Sequence, residues 1–232
     1  MSEESSVYLN ISKKKYEIYL YDIRNLKIIY KNDIELGNQN QSIDLSVLSK
    51  FLEENIFKIE KLTSKFIKNI FLIITTDNIL NVEIGIKKKS YEGIINKRII
   101  ENAITEIKDI FRENYQDYKI MHILINKFTV NDKTQSEFTN NLDGDKLCLE
   151  IKFLSIPNFY TLEFDKILAK YQIKIIRYFD QTYIKNLFHE NKIEFPLMIE
   201  KVISGFNKNE VNLVQKNYKK LGFFEKFFQI FN

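Results

Sequence analysis

The sequence predicts a mixed α/β fold from three observations. Apolar residues alternate in period two from Val7 to Leu36, and from Leu45 they recur at spacings of three and four. The two periods then keep exchanging as far as Phe179, with no internal repeat and no low-complexity tract.

Val7-Leu9-Ile11, Tyr16-Ile18-Leu20 and Leu26-Ile28-Tyr30 read as three strands, the last extendable through Ile34 and Leu36. Lys13–Lys15 and Arg24-Asn25 are the turns between them. Leu48, Phe51, Leu52, Ile56, Ile59, Leu62 and Phe66 form the buried stripe of one long amphipathic helix. Ile70–Ile74 is an apolar run of strand length, suited to burial on both faces. Val82, Ile84 and Ile86 alternate again, and Ile99, Ile100, Ala103, Ile104, Ile107 and Ile110 mark a second helix.

Ile120–Ile125 is a strand apolar on both faces. Leu147, Leu149, Ile151 and Phe153 alternate with Cys148, Glu150 and Lys152 in the next strand, and Asp143-Gly144 is a turn signal between the two. Pro157-Asn158 opens a third helix carrying Leu162, Ile167, Leu168 and Tyr171, and Ile173–Phe179 is a further strand. From Asp180 the pattern loosens through Phe195-Pro196 and Gly205.

The residues from 216 to 232 are a different case. On a helical wheel Leu221, Phe223, Phe224, Phe227, Phe228, Ile230 and Phe231 fill one half, and Gly222, Glu225, Lys226, Gln229 and Asn232 fill the other. Lys216, Lys219 and Lys220 lead into the segment. That composition suits a helix lying flat in a bilayer interface, its cations meeting anionic head groups. Each buried Phe, Leu or Ile contributes about 1.5–3 kcal/mol and each basic residue about 1 kcal/mol, which supports reversible attachment. A final core helix, or a helix seated in a partner's groove, are the competing readings.

With 232 residues, 44% hydrophobic and 28% charged, the chain is globular and holds one or two domains. Thirty-five basic and 31 acidic residues are interspersed for a net charge of +4, so no nucleic-acid-binding field is expected. The runs Lys13–Lys15 and Lys87–Lys89 read as solvated turns. A single cysteine, Cys148, excludes an intramolecular disulfide and fits a reducing compartment. Met1–Val7 has no signal-peptide character, and no stretch approaches the roughly 20 apolar residues that span a bilayer. A cytoplasmic protein with at most peripheral membrane contact is expected.

A search for chemistry finds little. Gly37, Gly85, Gly93, Gly144, Gly205 and Gly222 compose neither common phosphate-loop pattern. His122, His189 and Cys148 supply no ligand pair at metal-site spacing. His122, inside an apolar run, reads as a hydrogen-bonded core histidine. A Cys148–His122 nucleophile pair across neighbouring strands has no orienting acid and no oxyanion hole. Glu53-Glu54 is a solvated helix face. No catalytic, cofactor or metal residues are assigned.

Several patterns together resemble a known family. Ile120-Met121-His122-Ile123-Leu124, Thr129–Asp132, Leu142–Glu150, and then a helix and the strand Ile173–Tyr178 resemble the N-terminal half of the bacterial cell-division protein FtsA, an actin-like fold. The Phe-rich end is similar to that family's membrane-targeting sequence. The resemblance implies half of an actin-like fold: a first subdomain over 1–78, an inserted SHS2 subdomain over 79–157, a return to the first subdomain over 158–190, a linker over 191–215 and an amphipathic membrane helix over 216–232. Two departures stand out. At the family's Asp-x-Gly phosphate loop this chain has Asn10 and Ser12, and the second actin-like lobe is missing.

The resemblance therefore implies an adaptor without ATPase activity on the cytoplasmic leaflet of the inner membrane at the division site. Leu221, Phe223, Phe224, Phe227, Phe228, Ile230 and Phe231 would insert, and Lys219, Lys220 and Lys226 would meet head groups. Residues 79–157 would bind division proteins or a second copy, with FtsZ docking in question because the lobe it uses is absent. The alternative is an actin-like scaffold of a type IV pilus-type inner-membrane assembly, and a third reading is a nucleic-acid-binding module.

Overall fold

The computed structural model describes residues 5–37, 42–135, 141–188 and 193–211. The expected membrane helix, with every residue assigned to lipid contact, lies outside the described residues, as does His189.

The described elements, in chain order, are β1 (Ser5–Ile11), β2 (Lys15–Asp22), β3 (Lys27–Glu35), α1 (Leu45–Thr63), β4 (Asn69–Ile74), β5 (Leu80–Lys89), β6 (Ile94–Asn96), α2 (Lys97–Asn114), β7 (Tyr118–Val130), β8 (Lys133–Thr134), β9 (Asn141–Asp143), β10 (Lys146–Pro157), α3 (Asn158–Ala169), β11 (Lys174–Asp180), α4 (Gln181–Leu187) and α5 (Phe195–Ile203). They form two compact units, Met1–Ile79 with Ile156–Phe206, and Leu80–Ser155 with the residues from Asn207.

Unit one holds a five-stranded sheet in the order β11-β4-β1-β2-β3. β1, β2 and β3 are an antiparallel meander, and β4 and β11 add in parallel to β1. The mixed α/β class expected from the sequence is the class found. Leu9 pairs with Ile18 on one side and Leu72 on the other, so the middle strands are buried on both faces. Tyr16 faces α1, where its ring lies 6.3 Å from that of Phe51 and its hydroxyl donates to the Asp44 carbonyl at 2.9 Å. Tyr8, Tyr19, Tyr21, Ile73 and Phe179 pack with Ile184, Ile199 and Val202 of α4 and α5. Tyr19 and Tyr21 alternate with Tyr16 along β2, so these helices cover the face opposite α1.

Asp44 caps α1 by accepting from the Ser46 and Val47 amides at 3.0 Å. Inside α1 the fully buried Asn55 accepts from Tyr30 and Asn32 at 2.6 and 2.8 Å and donates to the Phe51 carbonyl, fastening edge strand β3 to the helix. The helix stops at Thr63, with Ser64 left-handed at φ 52°. Leu62 and Phe66, placed in its buried stripe by their spacing, are instead 58% and 84% exposed.

Unit two has a sheet in the order β5-β10-β7-β8, covered by α2, and a small β6-β9 ribbon. Ile100, Ala103, Ile104, Ile107 and Phe111 meet Ile123, Leu149, Ile151 and Phe153, and the Phe111 and Phe153 rings stack 4.6 Å apart. The Asp143-Gly144 turn requires its glycine: φ is +155°, and a Cβ there would stand 2.4 Å from the Val130 side chain. Lys87–Lys89 are not a turn but the end of β5, with Lys88 paired to Glu106 of α2. His122 is a buried, bonded histidine whose Nδ1 lies 2.8 Å from the Glu210 carboxylate, itself buried. Backbone bonds from Ile125 to Asn209 and from Val211 to Ile123, at 2.8 and 2.9 Å, lay residues 209–211 antiparallel along β7.

Residues 191–215 are not simply a connector. α5 lies within them, with Pro196 in its first turn, where the missing N–H is not needed.

Candidate functional site

In open sheets with parallel strands, ligands sit beyond the carboxyl ends of those strands. β1, β4 and β11 end together, with Ile11 opposite Ile74 and Ile74 opposite Asp180. The polar groups gathered at this edge come from the β1–β2 turn, from Thr75–Asn78 and from the start of α4.

A phosphate loop offers unpaired backbone amides beside a residue without a side chain. Here the turn has already used its amides. The Ser12 hydroxyl accepts from the Lys14 and Lys15 amides at 3.3 and 3.0 Å and lies 3.0 Å from the Lys15 carbonyl, to which it donates. Asn10, 3% exposed, donates its amide to Glu17 at 2.8 Å. Lys13 is held by Asp77 at 2.5 Å, and Lys15 by Glu17 and Asp33 at 3.2 and 3.0 Å. Thr75 donates its hydroxyl to Gln181, and Asp180 accepts the Tyr183 amide at 2.5 Å. Burial raises the Glu17 carboxyl, but hydrogen bonds from Asn10, Tyr19 and Lys15 outweigh it and hold the group below its ordinary value. The edge is a dense polar network in which the buried Asn10 Oδ1 is left without a hydrogen-bond partner.

The far edge of the same sheet is open, with a lining of mixed polarity. A cleft of about 310 Å³ is lined by Val7, Leu20, Ile29, Ile59, Leu62, Phe66, Ile67, Phe71 and Ile176, with Ser5, Asp22, Lys65, Lys68 and Asn69 among its polar groups. Two backbone irregularities shape it. The β2–β3 register slips at Ile29 and the β4–β11 register slips at Ile176, and both bulged residues point into the cleft lining. Residue spacing gave no sign of this cleft, because the stripe of α1 continues in phase past the point where the helix ends.

Of the residues weighed for chemistry, His122 is taken by Glu210, and Cys148 stands half-buried on β10 opposite Lys87 of β5. No group of three or more potential metal ligands occurs among the described residues. No helix among them is long and apolar enough to cross a membrane. Leu221, Phe223, Phe224, Phe227, Phe228, Ile230, Phe231, Lys219, Lys220 and Lys226 lie outside the described residues.

No protein-family model matches the sequence. No curated protein matches it either. Several solved structures are similar. A PilM–PilN type IV pilus biogenesis complex matches over 79% of this chain and 49% of the other, at 8% identity and a TM-score of 0.49. The cytoplasmic domain of EpsL, an inner-membrane component of the type II secretion system of Vibrio cholerae, matches over 78% and 58%, at 8% identity and a TM-score of 0.40. A Bacteroides thetaiotaomicron protein of unknown function with an actin-like ATPase fold matches over 79% and 54%, at 13% identity and a TM-score of 0.31. This chain thus spans about half the length of those structures.

Unit one is a mixed α/β layer, a five-stranded sheet in which an antiparallel meander is extended by two parallel strands. The resemblance to FtsA is corrected: the similar structures named above belong to pilus and secretion systems, and no family match supports a division protein. The division-site and SHS2 designations drop with it. The physical reason lies in the patterns that carried the resemblance. Ile120–Leu124 and Leu142–Glu150 encode strands β7 and β10 and the turn before β10, and buried strands of any ancestry need such residues.

Proposed function

We propose that the chain is a non-enzymatic, actin-like scaffold of an inner-membrane assembly of the type IV pilus or type II secretion kind, working through protein partners. The observation that carries the reading is the closed β1–β2 turn. Where an actin-like site would present free amides and a carboxylate to a magnesium–nucleotide complex, Ser12 occupies the amides and Asn10 is bound to Glu17. The order of elements, with unit two inserted between β4 and α3, supports an actin-like component carrying an extra subdomain. The kind of assembly is taken from the two systems named for the similar structures.

Calorimetric titration of the full chain with magnesium–ATP is expected to give no binding at millimolar nucleotide. A dissociation constant in the micromolar range overturns the non-enzymatic reading. Affinity purification of a tagged copy from solubilised membranes is expected to recover pilus- or secretion-type inner-membrane proteins, and recovery of unrelated soluble enzymes alone overturns the scaffold reading.

Peripheral attachment to the cytoplasmic face of the membrane belongs to the same proposal. Its support is the half-apolar wheel of residues 221–231 with Lys219, Lys220 and Lys226 beside it. Flotation with anionic vesicles tests it. Changing Phe224, Phe227 and Phe228 to Glu is expected to abolish co-flotation, and unchanged co-flotation removes the lipid foot.

A further inference from the structure

We infer that the outer edge of β5 in unit two pairs with β5 of a second copy of this chain. The pairing is antiparallel about an axis at Gly85, so that two β5-β10-β7-β8 sheets run on as one. It goes beyond the scaffold reading and does not depend on it.

Unpaired strand edges recruit other strands, and proteins blunt them with bulges, short strands or charge. Among the described edges, β3 and β11 each carry a register slip, β8 has two residues, and β6 and β9 have three apiece. β5 is different. Its ten residues run beside β10 in unbroken register, from Leu80 opposite Ser155 to Lys89 opposite Lys146. Among the described strands it has no second neighbour. The Ser90 amide, next in that ladder, donates to the Asp145 carbonyl at 2.7 Å. Backbone direction alternates along an antiparallel strand, so the even-numbered residues of β5 turn their N–H and C=O groups to β10. Asn81, Glu83, Gly85, Lys87 and Lys89 turn theirs to the open side, and all five residues are exposed.

The occupant follows from the order of charge along that edge. Two copies of one strand, paired antiparallel about an axis through the sheet, keep each face on its own side, so odd-numbered residues meet odd-numbered ones. Centred on Gly85, the register sets Gly85 against Gly85, Glu83 against Lys87 on either side of it, and Asn81 against Lys89 beyond. Every outward N–H and C=O from 81 to 89 then finds a partner, for about ten backbone hydrogen bonds. On the α2 face, Ile84 of one protomer meets Ile86 of its partner, both already packed against the unit-two core. The paired glycines leave the centre of the exposed face clear for the flanking Glu83 and Lys87 side chains. Centring on Ile84 or Ile86 leaves Lys87 with no carboxylate opposite it, and centring on Glu83 or Lys87 sets like charges together. The lysines that ward off an unselected strand thereby select this one.

Sedimentation velocity of the full chain, with amide exchange followed along β5, tests the pairing. Wild type is expected to double its mass as concentration rises through the micromolar range, with the Glu83, Gly85 and Lys87 amides slowing in step. Gly85→Pro is expected to stay monomeric, because the N–H it removes faces the open side and serves no bond within the protomer's own sheet. Glu83→Lys alone and Lys87→Glu alone each set like charges together and should weaken association about tenfold. Both positions are exposed, so these two variants keep their core. Mixing the two should restore association, since the lysines of one protein then meet the carboxylates of the other. A wild type that is monomeric at millimolar concentration overturns the pairing. So does a dimer that survives Gly85→Pro, or one that the mixture fails to restore. Slow β5 amides in a monomer would place a segment of the same chain on the edge, and that result overturns it too.

Discussion

The two edges of the unit-one sheet are opposites made from the same strands. At the carboxyl edge, Ser12, Lys13, Glu17 and Thr75 bond to neighbouring side chains or to the local backbone, and Asn10 donates to Glu17 while its buried Oδ1 stays without a partner. At the far edge, Ile29, Leu62 and Phe66 stand around a cleft with no such closure. Polar groups bonded to one another present little to a ligand, whereas exposed apolar side chains gain free energy from whatever covers them.

That contrast is open to direct attack. The largest effect belongs to the floor of the open edge: Ile59→Ala should cost about 2–5 kcal/mol in urea denaturation, because Ile59 is fully buried. A loss below about 1 kcal/mol would mean that the cleft cuts deeper than its floor. At the closed edge, Ser12→Ala should cost about 1 kcal/mol, since it leaves the Lys14 and Lys15 amides to water, and a neutral result would show that the hydroxyl does not hold the turn shut.

Two carboxyls give pH responses of opposite sign. Glu17, held low by its hydrogen bonds, contributes stability that is complete above its unfolded value of about 4.3 and is lost as the pH falls through its folded value. Glu200 is held high, chiefly by burial and against a hydrogen bond from Tyr8. Its contribution is present below about pH 4.3 and is lost as the pH rises through its folded value. Denaturation across pH 3–7 should therefore show Glu17→Gln flattening the acid limb. Glu200→Gln should raise neutral stability, and a loss of stability there would mean that the charge is needed. The smallest effect is expected for Phe66→Ala, within about 0.5 kcal/mol, because Phe66 is a lip residue outside the core.

Most of the fold was legible because its elements are long and strongly periodic. The first three strands, both long helices and the strands at 69–74, 118–130 and 146–157 lie where alternation or three-four spacing placed them. Four things were not legible, each for a physical reason. α5 opens Phe-Pro-Leu-Met-Ile, too uniformly apolar to show a helical face, and Pro196, where the pattern loosens, sits in a first turn that tolerates it. β6, β8 and β9 are two or three residues long, below any period. The end of α1 depends on Ser64 adopting a left-handed conformation that favours glycine, so nothing in the spacing marks Leu62 and Phe66 as exposed. At the candidate site, the substitutions at Asn10 and Ser12 were readable as losses. That Ser12 actively closes the turn depends on where its hydroxyl sits, which residue order does not encode.

The antiparallel stitching of residues 209–211 along β7 has a mechanical consequence. Whatever seizes the polypeptide beyond Val211, a bilayer or another protein, pulls first on a β-ladder and on the buried His122–Glu210 contact. Tension is thus delivered into the sheet of unit two, whose strands resist as a group.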